Sequence, residues 1–501
     1  MSEKTLKDHR LTEEGVREDL QRQPHLMMKL AENALVVAES LRNNYFKNTA
    51  IFVKDLRTTI HASAQGLRKE PILVIEQVEN ASWEKVQDEV VTFIDGGVGQ
   101  VQISGQVPIL LRVGSYCVRT GERQVAEREQ FGYYPVILGD LEGGSKDRRD
   151  FVDIVRITAE LLGGLSALER TPDLRVLMFH GPLVYTVWHY MGHTPFTERD
   201  IDLFLHQYAS DTTLGQYLKE DFLKEAKVFI YPKITDRSDE WVKKRIFEPL
   251  AWMSFLYRRL IQKARQRNPI PIIVGVVERE GGLREFSETI LLERVFRGLR
   301  HKEKENYFNE MYGRTDLTSE EALLSRLGYT DTLLLAMLLQ PGEYSEYWEM
   351  SKQYNKLSRS DMALPGEAGT SRVDFSILRP NTKDFIGFPR VHGCYLKVSE
   401  TTEPIRIEVF KDLGTEQIEE ATRRAYLYAR LLPGYGFPVG LDIVDKHAHV
   451  PNWLTEAYSK LIRHHLGVSL QRGEISDTEM RKILVQAIYM THRDWLFRPK
   501  S

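Results

Sequence analysis

The chain is poor in cysteine, and it lacks long hydrophobic runs, nucleotide-binding glycine signatures and an excess of either charge. Each shortage removes a class of function. Cys117 and Cys394 are the only cysteines in 501 residues. Two thiols cannot build a four-thiolate zinc centre, and their scarcity predicts buried thiols in a reducing compartment, not a disulfide. No uninterrupted apolar run approaches the roughly 20 residues needed to cross a bilayer. The opening MSEKTLKDHRLTEEG has no apolar core of the kind a signal peptide requires. The expectation is therefore a cytoplasmic protein with no membrane segment. Gly96-Gly97-Val98-Gly99 is not followed by GKS or GKT, which argues against an ATPase engine, and His180, His189 and His193 do not have HExxH spacing. Lys and Arg number 68 against 71 Asp and Glu, a formal charge of -3, so any handling of nucleic acid must rest on local basic surfaces. There are only 20 prolines and no internal repeat of useful length.

What is present suits a folded soluble protein, with 42% apolar and 28% charged residues and length enough for more than one core. Residues 1–88 read as a helical N-terminal region and connector, in which Leu26 to Leu41 is apolar enough for a packed helix. That region is either a cap over a sheet or an arm for dimerisation or docking. Residues 89–465 read as an α/β core with insertions at about 185–245 and 350–385. Residues 466–501 read as a C-terminal helical extension packed on the core.

The core is organised around Val90 to Thr120. Val90, Val91, Thr92, Phe93 and Ile94 make a buried strand that ends on Asp95 before Gly96-Gly97, where a sharp turn is expected. Two further apolar runs, Val101 to Ile103 and Val107 to Val113, predict two more strands, and Glu122 to Tyr134 reads as a polar passage. A helix follows over Asp150 to Arg170, weakened by Gly163 and Gly164. A fourth strand spans Leu174 to Phe179 and ends at His180. Trp241 to Arg267 reads as a long amphipathic helix, Ile272 to Val277 as a strand and Thr289 to Arg300 as a helix. Asp331 to Leu339 is a further helix, and Ser351 to Pro380 is a polar loop. Two strands suited to a hairpin, Gly393 to Val398 and Ile405 to Phe410, precede a helix over Thr415 to Leu432. Two terminal helices are expected over Trp453 to His465 and Asp477 to Thr491.

Asp95, Glu160 and Asp445 are distant in sequence but fall at the edge or covering helices of one proposed sheet. Carboxylates gathered there suit Mg²⁺ or Mn²⁺, hard ions that prefer oxygen ligands; the alternative is ordinary capping and surface carboxylates. Glu160 lies four residues after Arg156, which gives either a functional face or a plain ion pair. His447 and His449 share a side if their segment is extended, as metal ligands or proton carriers, or else are surface histidines. Arg258, Arg259, Lys263, Arg265 and Arg267 either line a phosphate path or are a solvated helix end favoured by the helix dipole.

Taken in order, Phe93-Ile94-Asp95-Gly96-Gly97, the helix with Arg156 and Glu160, and Leu177 to Leu183 resemble the successive core motifs of NurA nucleases. Val274 to Val277, Thr330 to Leu334, Pro341 to Ser345, and Gly436-Phe437-Pro438 through Asp445 and His447 continue that order, so the resemblance spans about residues 88–465. It implies a ribonuclease H-like mixed sheet flanked by helices, and manganese-dependent (or magnesium-dependent) cleavage of DNA. It also implies a homodimer and a HerA-type hexameric ATPase partner, working in end resection or anti-phage defence. By motif position, Asp95 and Glu160 would be metal-binding, with Asp445 or His447 completing the site; His180 stands where the family usually has aspartate, and its imidazole, which can bind Mn²⁺, is counted with Asp95, Glu160 and Asp445 among the metal ligands. Arg258, Arg259, Lys263 and Lys446 would hold DNA. The substitution at His180 motivates an alternative, an inactive DNA-clamping subunit with the same fold.

Overall fold

A computed structural model of the 501-residue chain describes residues 24–64, 74–79, 81–100, 109–124, 129–134, 145–184, 196–202, 214–225, 249–278, 283–292, 328–350, 361–363, 372–374 and 389–489, with a few isolated positions besides. The chain divides into two units. One comprises Met1–Ile72, Leu292–Leu327 and His465–Ser501; the other comprises Leu73–Leu291 and Gly328–His464.

In the first unit α1 (Pro24–Ser40) and α2 (Lys47–Ala64) are joined by a π-helical turn, Leu41–Phe46. The run from Leu26 to Leu41 is helical as expected but not packed: α1 has no buried residue, and Met28, Leu35 and Val36 are each more than 60% exposed. Phe52, Leu56 and Ile60 of α2 are buried.

The second unit is built on a sheet with ten described strands. In chain order its elements are β1 (Ile75–Gln77), β2 (Val90–Gln100), β3 (Ile109–Arg119), β4 (Glu129–Tyr134), α3 (Ser145–Arg170), β5 (Leu174–His180), α4 (Leu214–Glu225), α5 (Pro249–Arg265), β6 (Ile272–Val277), α6 (Asp331–Leu338), β7 (Glu343–Ser345) and β8 (Trp348–Glu349). A short antiparallel pair, β9 (Asp361–Ala363) and β10 (Arg372–Asp374), stands apart within the stretch read as a loop. Then come β11 (Val391–Leu396), β12 (Ile405–Phe410), α7 (Glu416–Ala429), α8 (Val439–Ala448) and α9 (Asn452–Gln471), the last of which runs across the boundary between the units. α10 (Thr478–Tyr489) lies in the first unit. The strand order is β1-β7-β11-β12-β6-β5-β2-β3-β4, with β8 paired to β11. β2, β5 and β6 are parallel to their neighbours within that trio, and the other pairs in the sheet are antiparallel. This is the mixed α/β, ribonuclease H-like sheet flanked by helices. Among the described residues no helix is long and apolar enough to cross a membrane.

Several elements differ from the sequence expectation. β2 does not end at Asp95; it pairs with β3 without a break from Val90 to Gln100, so Gly96 and Gly97 are strand residues and not a turn. The third strand of the opening meander comes from Glu129–Tyr134, the stretch read as a polar passage, and Val101 to Ile103 lies outside the described residues. Residues 287–292 form a π-helix, and most of the helix expected beyond them, to Arg300, is also outside the described residues.

The glycines of α3 are explained by packing. A Cβ on Gly164 would lie 2.6 Å from Phe179 Cζ, and one on Gly163 would touch Val113 and Ile94. Their helix-weakening cost is offset by a close approach of α3 to β2, β3 and β5. On the other face α8 lies against β2 and β3, and α7 covers β6, β11 and β12 over the main apolar core.

The far half of the sheet contains a buried carboxylate. Asp331, at the start of α6, accepts hydrogen bonds from Phe286 N (3.0 Å), Ser287 N (2.7 Å) and Tyr395 Oη (3.2 Å). Burial pushes its carboxyl up to about 6, against these hydrogen bonds. A carboxyl raised in the folded state stabilises fully below its unfolded value of about 4, and that contribution is lost as the pH rises through about 6. The unfolding free energy of the wild type relative to Asp331→Asn should therefore fall by on the order of 2–3 kcal/mol between pH 4 and 7. Urea titrations at several pH values measure it, and a pH-independent difference rejects this account.

Candidate metal centre

β2 and β5 are parallel neighbours, with Ile94 opposite Phe179. The residue following each of these is polar, so Asp95 and His180 emerge side by side at one level of the sheet. His180 Nδ1 lies 3.0 Å from Asp95 Oδ2, and Asp95 Oδ1 accepts the Gly96 amide at 2.8 Å. The ring of His180 is backed by Phe437, at 5.2 Å between centroids.

The third member arrives on α8, and glycines make its approach possible. Gly97 faces α8 so closely that a Cβ there would collide with the carbonyl of Ala448; a Cβ on Gly114 would lie 2.7 Å from Val444 Cγ2. Gly440, on the helix itself, sits over the ring of Phe93 with no room for a side chain. With the sheet face cleared in this way, Asp445 reaches Asp95. Ligand atoms of Asp95, His180 and Asp445 all lie within 4.8 Å of one another, the one such group of three or more His, Cys, Asp or Glu donors among the described residues.

Alternation along β2 divides the site. Phe93, Asp95 and Gly97 point towards α8, whereas Ile94 and Gly96 point towards α3. Glu160 belongs to the second side: a Cβ on Gly96 would lie 2.6 Å from its Oε1. That oxygen is held by Arg156 Nη1 at 2.6 Å, and Glu160 stands behind the strand, outside the trio.

The electrostatics describe a site short of positive charge. Burial raises the carboxyl of Asp445, and the neighbouring Asp95 raises it further. Glu160 is pushed up to about 7 by burial, with Arg156 opposing and Asp95 reinforcing the shift. For His180, burial favours the neutral ring, but the hydrogen bond to Asp95 and the charges of Asp95, Asp445 and Glu160 outweigh it and raise its value. Two adjacent carboxylates and an imidazole therefore share a shortage that a divalent cation relieves. Two hard oxygens with one nitrogen suit Mn²⁺ better than Mg²⁺, because imidazole binds the former more readily.

The other sequence-named residues fall elsewhere. The segment carrying His447 and His449 is helical, not extended, so the two histidines do not share a side; His449 is the C-cap of α8, and neither joins the trio. Lys446 is exposed one residue beyond Asp445 and pairs with Asp442 at 2.5 Å. On α5, Arg259 pairs with Asp221 and Lys263 with Glu169 at 3.2 Å. Past its end, Arg267 donates to the carbonyls of Thr171 and Pro172. Arg258 is half-buried on the same helix. Of the metal ligands expected from the sequence, Asp95, His180 and Asp445 come together and Glu160 does not; what the sequence reading did not give is the direct contact of His180 with Asp95. Its signal was present, since each residue directly follows an apolar strand run.

A sequence model of the NurA domain matches residues 89–450. No curated protein matches the chain. Among solved structures it is similar to the NurA nuclease from Sulfolobus solfataricus, at 11% identity over 88% of this chain and 98% of that one, with a TM-score of 0.45. It is also similar to a NurA bound to dAMP and manganese, at 12% identity over 87% and 94% of the two chains, with a TM-score of 0.33.

Titration of metal-free protein with Mn²⁺, followed by electron paramagnetic resonance, tests the centre. Asp95→Ala, His180→Ala and Asp445→Ala should each weaken binding by about ten-fold or more, and His449→Ala by less than about two-fold. Wild-type affinity in Asp95→Ala would rule the centre out.

Proposed function

Since the chain belongs to the NurA family, we propose that it is a divalent-metal-dependent deoxyribonuclease whose metal is held by Asp95, His180 and Asp445. The observation that carries this reading is the convergence of those three donors within 4.8 Å on the face of the sheet that α8 covers. When bound, a divalent ion supplies Lewis-acid activation of the phosphate and of the attacking water.

The chain's own groups do the rest. Asp95 and Asp445 supply the negative oxygens, and Asp95 is oriented by the Gly96 amide, so its second oxygen has a fixed direction. His180 offers its Nδ1, 3.0 Å from Asp95 Oδ2, as the third donor. Glu160, paired with Arg156, backs the strand at Gly96 from the α3 side. Lys446, exposed beside Asp445 and paired with Asp442, would meet a backbone phosphate near the cleaved bond without reading a base. Arg258, Arg259 and Lys263 are assigned to the more distant DNA path. His447, within two residues of Asp445, is a candidate for proton transfer to the leaving oxygen.

The family assignment extends the proposal to a homodimer fed with DNA by a HerA-type hexameric ATPase, in end resection or in defence against phage. A second reading, a DNA-clamping subunit without hydrolysis, is favoured by one observation. A neutral imidazole at His180 leaves the centre with two carboxylates only.

Asp95→Asn should lower Mn²⁺-dependent cleavage of single- and double-stranded DNA by at least ~10²-fold while leaving the thermal midpoint nearly unchanged. Undiminished cleavage by the purified variant removes Asp95 from the reaction. Absence of cleavage by the wild type, alone and with the ATPase, while the complex with the ATPase still assembles, overturns the nuclease reading and favours the clamping one.

A further inference from the structure

On the α3 side of the sheet a buried ion pair is tied to the turn that follows His180. Arg406 and Glu408 are two residues apart on β12 and so share a face; they are 3% and 1% exposed, with Nε and Oε1 2.7 Å apart. The other oxygen of Glu408, Oε2, accepts the backbone amide of Leu183 at 2.8 Å. Glu408 is opposite Gly275 of β6, and β6 lies between β12 and β5. The carboxylate thus reaches across one whole strand to a turn that leaves the next.

Gly275 keeps that passage open. A Cβ there would lie 2.8 Å from both Gly181 O and Leu183 N, backbone atoms that cannot swing aside. The turn is also tied directly to β6, because Gly181 N donates to Val276 O at 2.8 Å. His180 immediately precedes this doubly held turn.

A buried carboxylate and guanidinium are a demanding way to satisfy one amide, which a neutral side chain could do. What the pair adds is direction: Arg406 fixes Oε1, so Oε2 has one position and Leu183 N has one place to meet it. We propose that Glu408, oriented by Arg406 and given passage by Gly275, is a positioning residue that sets the ring of His180 against Asp95. Its consequence for metal affinity rests on the metal-dependent reading above; the placement of the ring does not.

Two variants disturb the tie by different routes. Glu408→Ala removes the acceptor, and Gly275→Ala pushes the turn away while leaving the ion pair intact. In full-length, metal-free protein with labelled histidine rings, the His180 signal, assigned by its loss in His180→Gln, should shift in both. The Mn²⁺ dissociation constant should rise by about ten-fold in both. Glu408→Gln keeps an acceptor oxygen and should fall between Glu408→Ala and wild type in both readouts; a role in overall stability alone would lower the thermal midpoint without moving the His180 signal of the folded protein. If Glu408→Ala does not fold, Gly275→Ala and Glu408→Gln decide. An unmoved His180 signal in folded Gly275→Ala and Glu408→Gln overturns the proposal. A His180 signal that moves in protein whose wild type binds no Mn²⁺ upholds the positioning role and overturns the metal reading instead.

Discussion

The close approach of α8 to the β2–β3 pair is the contact on which the centre depends. A helix packed on a sheet through ordinary side chains stands about 10 Å away, too far for a short aspartate to reach a strand residue. Here Gly97 and Gly114 remove the intervening side chains on the strands, and Gly440 removes one on the helix. Asp445 is consequently brought down to the level of Asp95. Glycine weakens both strands and helices, so three glycines in one contact carry a cost in local stability that only the proximity of the two elements offsets.

The same economy recurs across the sheet. Gly163 and Gly164 bring α3 down on the other face, Gly96 admits Glu160, and Gly275 admits the carboxylate of Glu408. The outcome is that β2 and β5, the two strands carrying Asp95 and His180, are clamped from both faces and from the neighbouring strand. Rigidity matters for such a site because two carboxylates held side by side repel each other, and a looser framework would let them part before a cation arrived.

Much of this was legible in the sequence, for identifiable reasons. Fully buried parallel strands are continuous apolar runs, and Val90 to Ile94, Leu174 to Phe179 and Ile272 to Val277 announce themselves that way. The partners Asp95 and His180 sit at the ends of two such runs, so the donor pair was readable in principle. Asp445 was named, but no helix was expected over its segment. The apolar residues of α8 show the helix plainly only once Gly440 is recognised as a contact and not a breaker. Gly96-Gly97 misled in the same manner. Glycine pairs usually mark turns, and a strand that needs glycine because a helix lies against it has no local signature. Glu408 was illegible altogether: within Ile405 to Phe410 it looks like the polar member of an alternating edge strand, whereas both faces of β12 are buried.

The remaining question of charge follows from the ligands themselves. Two carboxylates and a neutral imidazole around a divalent ion give a centre of no net charge, whereas three carboxylates would leave one negative. A neutral centre repels an incoming phosphate less, but it also attracts the cation less. In this chain the proton becomes a competitor as well, because the carboxylates around His180 that favour a cation favour its protonated ring too. Glu160 and Arg156, paired behind Gly96, add almost nothing to the total charge as long as both are ionised. The burden of holding the ion then falls on geometry rather than on charge. That explains why the position of one histidine ring is secured by a buried ion pair two strands away.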